Sequence, residues 1–269
     1  MTQRLSPLTQ KLVEKLFDSG DQPEAVRRLV EECGNNLPLC KDNDEYKMER
    51  IRFAALRVSI GYLDDLQSAI GLAKSDWRDL LVWARFADSL TAHQEWCEQV
   101  LKGCDNPMAI IIIGLPGSGK TTVSSLLSRK LGWMFYELDN LHSTENFVRL
   151  MHGKPIDEEA MESWLVKSCE LVGKYIAKKQ NAVFASSALK ETHRQKLRVD
   201  EKVHFVYLRG EYDQLEERQK NRKSSLPHVE RLAYQFSIFE EPQNVLTIDA
   251  NKPAQEIAES IWALATSKA

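Results

Sequence analysis

The chain has 269 residues, 28% of them charged and 43% hydrophobic, with a net charge of −3. That is one large domain or two modest ones of ordinary globular composition, which excludes a fibrous repeat or a disordered chain. The balanced charge supplies no overall basic field, which argues against a nucleic-acid partner.

The five cysteines (Cys33, Cys40, Cys97, Cys104 and Cys169) are odd in number, irregularly spaced and form no CxxC pair. Reduced thiols are expected rather than a disulfide framework or a zinc site. The first ten residues, MTQRLSPLTQ, carry no apolar signal core, and the apolar run from Met108 to Leu115 is too short to span a bilayer. A cytoplasmic protein with no membrane partner is expected.

Residues 1–104 read as an all-helical domain. Candidate helices are Pro7–Phe17, Pro23–Cys33, Asp44–Ile60, Leu63–Ala73, Trp77–Phe86 and Ala92–Leu101. In the third, Met48, Ile51, Ala54, Ala55 and Val58 recur at spacings of three and four, as one buried helix face requires. Breaks fall at Gly20, at Gly34–Pro38 and at Gly61. Nothing in this region carries a recognisable site. Dimerisation, partner recognition or regulation are the roles open to it.

A linker at Gly103–Pro107 precedes a change of texture, so a second domain is expected over 105–269. Strand candidates are Ala109–Ile113, Met134–Leu138, Ala182–Ala185, His204–Leu208 and Val245–Ile248. Between them lie the helical patterns Thr121–Leu131, Glu158–Lys179, Thr192–Leu197, Tyr212–Lys220 and Val229–Phe239. Strands alternating with helices predict an α/β fold, a parallel sheet flanked by helices.

The first of these strands runs into GLPGSGKT, from Gly114 to Thr121, which matches the phosphate-loop pattern G-x-x-x-x-G-K-[ST]. Such a loop must turn its N–H groups inward, through backbone angles often open only to glycine. The helix that follows offers free N–H groups and a partial positive charge to the anion. Gly114, Pro116, Gly117, Ser118, Gly119, Lys120, Thr121 and Thr122 are therefore expected to bind ATP. Lys120 reaches the β- and γ-phosphates, and the Thr121 hydroxyl ligates Mg²⁺.

Beyond the loop come Leu138, Asp139, Leu141 and His142, then Glu145, Asn146, Arg149, Gly153, Pro155, Trp164 and Leu165. Ser187-Ala188-Leu189-Lys190 follows, then His193, Arg194, Leu197 and Arg198, and the strand Phe205–Gly210. Arg218, Arg222, Gln235, Phe236, Glu241 and Pro242 complete the series. In this order, over about residues 108–265, they resemble the gluconokinase family of P-loop small-molecule kinases. The resemblance implies transfer of the γ-phosphoryl group of ATP, with Mg²⁺, to a hydroxyl of a sugar acid or related small metabolite.

It also implies roles. Asp139, just past the second strand, would orient the acceptor hydroxyl and accept its proton, although it can equally cap a helix begun at Asn140. His142 would either hydrogen-bond a polyol or cap a turn. Arg149, Lys190 and Arg194 would bind the acceptor carboxylate. Arg218 and Arg222, four apart on one helix face, would be catalytic lid arginines beside Lys120, or else part of a solvated basic face with Lys220 and Lys223.

Departures fall on the acceptor half and the lid. Ala160 and Met161 replace an acidic-arginine pair, Ser225 a lid histidine, His193 a tyrosine and Ser186 a cysteine. They keep two other readings open: a nucleotide-binding regulator with a degenerate kinase domain, or a kinase for a nucleic-acid end. The C-terminal Val245-Leu246-Thr247-Ile248-Asp249 mimics a second metal-binding signature, but reads as a last core strand with an aspartate at its tip.

Overall fold

The computed structural model describes residues 5–33, 37, 45–103, 106–221 and 228–267. The chain divides into two compact units, Met1–Asp105 with Lys178–Gln180, and Asn106–Ala177 with Asn181–Ala269.

The first unit is helical: α1 (Pro7–Leu16), α2 (Gln22–Glu31), α3 (Glu45–Ser59), α4 (Leu63–Trp83) and α5 (Ala92–Lys102). Ser6 starts α1 by accepting from the Thr9 N–H at 3.1 Å, with Pro7 in the first turn, where a missing N–H costs nothing. The spacing in α3 predicts one buried face. The helix is instead buried all round from Ile51 to Ser59, so it is the centre of the unit. Its arginines are accommodated locally. Arg52 Nε donates to Cys33 O at 3.3 Å, and the Arg57 guanidinium lies 5.2 Å from the centre of the Phe86 ring. The two helices predicted over Leu63–Ala73 and Trp77–Phe86 join as α4. They meet at Asp76, whose φ of −154° and ψ of 109° kink the helix. The Asp76 carboxylate accepts from the Arg78 N–H at 3.0 Å and so caps the second half.

The second unit holds β1 (Ala109–Ile113), α6 (Lys120–Leu131), β2 (Met134–Glu137), a 3-10 turn at Leu138–Leu141, α7 (Thr144–Met151), α8 (Glu158–Ala177), β3 (Ala182–Ser186), α9 (Glu191–Leu197), β4 (Val203–Arg209), α10 (Tyr212–Lys220), α11 (His228–Ser237), β5 (Leu246–Asp249) and α12 (Ala254–Ser267). All strands are parallel, in the order β2-β3-β1-β4-β5. The four consecutive isoleucines of β1 are buried on both faces, as a central parallel strand requires. Ile110 and Ile112 pack with Val123 and Leu127 of α6 and Ile257 and Ile261 of α12 on one side. On the other, Tyr175 of α8 meets the Phe184 ring at 5.8 Å.

The expected α/β architecture is what forms. Two of its helices, α7 and α12, are absent from the sequence reading, and one strand has a different place from that expected. β5 is the edge of the sheet and mostly exposed, rather than a core strand. Asp249 accepts from the Asn251 N–H at 2.8 Å and serves a turn.

Among the described residues, no helix is long and apolar enough to cross a membrane.

Candidate active site

β1 lies between β3 and β4, so the chain leaves it toward one side of the sheet and later returns to the other. In parallel sheets, ligands bind at such a switch point, outside the carboxyl ends of the strands. The phosphate loop sits there, between β1 and α6. Gly117 has φ +90°, and a β-carbon on it would fall 2.5 Å from Gln219 Nε2. The left-handed φ favours glycine at this turn, where the loop comes close to α10. Lys120 is 7% exposed, and its Nζ donates to Gly114 O at 2.7 Å and Leu115 O at 3.3 Å. The ammonium is thus held over the loop that its phosphates would occupy.

Register brings the acidic groups to the same end. Glu137 pairs with Ala185, so two residues further on Asp139 faces Ser187. The Ser187 N–H donates to Asp139 Oδ1 at 2.9 Å, and the Ser187 hydroxyl donates to Oδ2. Arg231 Nη2 of α11 lies 3.5 Å from the same Oδ2. These donors hold the Asp139 carboxylate in one orientation, within a 3-10 turn rather than at the cap of a helix from Asn140. Glu137 Oε2 accepts from the Thr121 hydroxyl at 2.6 Å. Burial pushes the Glu137 carboxyl above the usual carboxylate range, and the neighbouring Asp139 charge adds to this.

Two cavities open here. One, of about 560 Å³, is lined by Pro116, Gly117, Gly119, Lys120, Thr121 and Thr122 of the loop, with Glu137 and Arg218. Gly114 and Ser118, also expected at the phosphates, are not among its lining residues, and Ser118 is 1% exposed. The second cavity, of about 590 Å³, is lined by His142, Trp164, Lys190, His193 and Arg231 among others. Asp139 lines both. The His142 ring stacks 5.0 Å from that of Trp164, at 10° from parallel. His142 Nδ1 is buried with no hydrogen-bond partner among the described residues. Burial lowers the pKa of both His142 and His193, so each imidazole is neutral near pH 7.

The remaining expected residues are placed otherwise. Arg149 donates to Pro155 O at 3.0 Å and closes the turn after α7. Arg194 is 2% exposed and donates to Ala188 O, Leu189 O and Glu240 O at 2.7–3.0 Å, so its guanidinium fixes the loop after β3 instead of facing the second cavity. Arg218 donates to Gly117 O at 3.3 Å and Ala250 O at 2.9 Å, against the phosphate loop. Arg222 and Ser225 lie outside the described residues. The departure at Met161 lines the second cavity, whereas the Ala160 N–H is taken by Asp157 Oδ1 at 2.7 Å in the cap of α8.

Sequence reasoning missed Glu137, Ser187 and Arg231. The acid two places before Asp139, at a strand's end, was a usable signal for the first. Ser187 stood inside the SALK run but was given no role. Arg231 carries no local signal at all.

Among known proteins, residues 110–235 match the family described as an AAA domain. The probable gluconokinase of Mus musculus is 33% identical over 176 residues, which are 58% of this chain and 96% of that protein. The thermoresistant gluconokinase of Escherichia coli (strain K12) is 28% identical, covering 56% of this chain and 89% of that one. The crystal structure of a gluconokinase from Sinorhizobium meliloti 1021 superposes with a TM-score of 0.52 at 29% identity, over 59% of this chain and 91% of that one. A sugar kinase from Janibacter sp. HTCC2649 gives a TM-score of 0.55 at 25% identity, over 60% and 95%. The residues about the phosphate loop thus sit in a fold and a sequence shared over nearly the whole length of these relatives, and the chain belongs to the gluconokinase family.

Proposed function

We propose that the protein is an ATP-dependent kinase that phosphorylates a hydroxyl of a gluconate-like sugar acid. One observation carries this reading: Asp139 lies on the wall shared by the phosphate-loop cavity and a second cavity, whose largely apolar wall carries His142, Lys190 and His193. A carboxylate at that junction can accept a proton from an acceptor hydroxyl while the phosphate loop holds the donor.

ATP supplies the phosphoryl group, and the loop N–H groups with Lys120 bind its phosphates. Mg²⁺ fits the hard oxygens present. The Thr121 hydroxyl and the Glu137 carboxylate, 2.6 Å apart, can hold it with phosphate and water completing the shell. Such a site needs no dedicated cage, and the described residues contain no cluster of three His, Cys, Asp or Glu side chains. Across the junction, Lys190 offers an exposed ammonium for the acceptor carboxylate, and the orphaned His142 Nδ1 offers a hydrogen-bonding position for a hydroxyl. His142, Asp139 and Lys190 thus keep their expected roles in this reading. Arg149 and Arg194 act on the frame.

The test is ADP release measured over gluconate, other sugar acids, neutral polyols and nucleosides. A sugar acid should raise turnover, and Asp139→Asn should lower it by about 10²- to 10⁴-fold. The reading fails if no acceptor lifts ATP consumption above that of Lys120→Ala. Full retention of turnover in Asp139→Asn would remove the proton-accepting role.

A further inference from the structure

Asp139, Phe147, Met151 and Arg231 line both cavities, and Arg231 is the cation among them. Its side chain is 17% exposed. A guanidinium carries five N–H donors. Here Nη1 donates to Met151 Sδ at 2.9 Å and Nη2 approaches Asp139 Oδ2 at 3.5 Å. Nε is buried with no partner among the described residues. A thioether is a weak acceptor, and 3.5 Å is the outer limit of a hydrogen bond. The donors are therefore poorly matched to what surrounds them, at the wall shared by the phosphate-loop cavity and the second cavity.

We propose that Arg231 is a catalytic arginine that grips the γ-phosphoryl group at this junction, a role that rests on the kinase reading above. The planar fork suits two phosphoryl oxygens, which are far better acceptors than a sulfur. Turning to the phosphoryl group loosens the contact with Asp139 Oδ2, which still accepts from the Ser187 hydroxyl, and leaves its second lone pair for the acceptor hydroxyl. The hydroxyl oxygen then forms the new P–O bond, and its proton goes to Asp139. The β–γ bridging P–O bond breaks, its electron pair leaving with ADP. Arg231 stabilises the charge on the group in flight.

The test has two arms, both with the full chain. In the first, calorimetry compares the β,γ-imido analogue of ATP with ADP, each with Mg²⁺ and no acceptor. Arg231→Met should lose roughly tenfold or more in affinity for the triphosphate and none for ADP. Arg231→Lys, which keeps the charge but not the fork, should fall between, and it stands in if the Met variant melts early. Equal losses for both nucleotides, or no loss, overturn the proposal. In the second arm, kcat with the best sugar acid should drop roughly 10²- to 10³-fold in Arg231→Met, with acceptor KM little changed and partial rescue by added guanidinium. A raised acceptor KM at unchanged kcat would instead make Arg231 the acceptor's carboxylate clamp and overturn the proposal. If the wild type binds the triphosphate yet turns over no sugar acid, the proposed function fails while the first arm still decides Arg231.

Discussion

At the scale of single residues, Glu137 is the acid of the site whose protonation burial changes most plainly. Its carboxyl sits above the ordinary glutamate range because it is desolvated and lies near Asp139. A carboxyl raised in the folded state adds stability that is fully present below its unfolded pKa and is lost as pH rises through the folded pKa. Glu137→Gln should therefore melt like the wild type near pH 4 and above it near pH 8, by a margin that grows with pH. The Thr121 hydrogen bond can be kept by the amide oxygen. With ATP present, Mg²⁺ should raise the melting temperature of the wild type more than that of Glu137→Gln, because the variant lacks the carboxylate. Thermal melts across that pH range decide it, and a pH-independent difference would contradict the assignment. Lys120, Thr121 and Asp139 were legible because a loop motif and the position after a strand encode them locally. Arg231 was not, because its meaning comes from a carboxylate 92 positions earlier in the chain.

At the scale of elements, the approach of α7 to α11 places that arginine. Gly153, just after α7, has φ +65°, and a β-carbon there would lie 2.5 Å from Glu230 O and 3.2 Å from Arg231 N. Only glycine lets the first turn of α11 come so close. Gly153→Ala combines a left-handed alanine, about 1–2 kcal/mol, with a backbone clash. It should lower the melting temperature by roughly 4–8 °C and reduce turnover together with it. A variant with wild-type melting and turnover would mean that α11 does not need this contact. α7 is absent from the sequence reading although its start is marked in the chain, where Ser143 caps it by accepting from the Asn146 N–H at 3.3 Å. α12 was readable: Ile257, Ile261 and Ala265 recur every four residues and are buried against the sheet. The predicted break between Leu63–Ala73 and Trp77–Phe86 was sound in position. Asp76 adopts extended backbone angles there and interrupts the helix at that residue.

At the scale of the whole molecule, the relatives account for the second unit alone: 58% of this chain covers 96% of the mouse protein. That unit carries the complete sheet and its own apolar clusters, one about Ile110, Val123 and Ile261 and one about Leu115, Leu215 and Leu232. Residues 106–269 expressed alone should give one cooperative thermal transition and bind Mg-ATP within about 0.5 kcal/mol of the full chain. A molten, non-cooperative polypeptide would show that the fold needs the first hundred residues. The sequence by itself determined the α/β alternation, the helical first region, the phosphate loop and Asp139, since periodicity, glycine placement and strand-end position are local properties of a chain. Tertiary structure alone decided where the arginines point. It turned Arg149 and Arg194 to backbone carbonyls, set Arg218 against the loop, and brought Arg231 to Asp139. A long charged side chain can reach in many directions, and only the packing around it selects one.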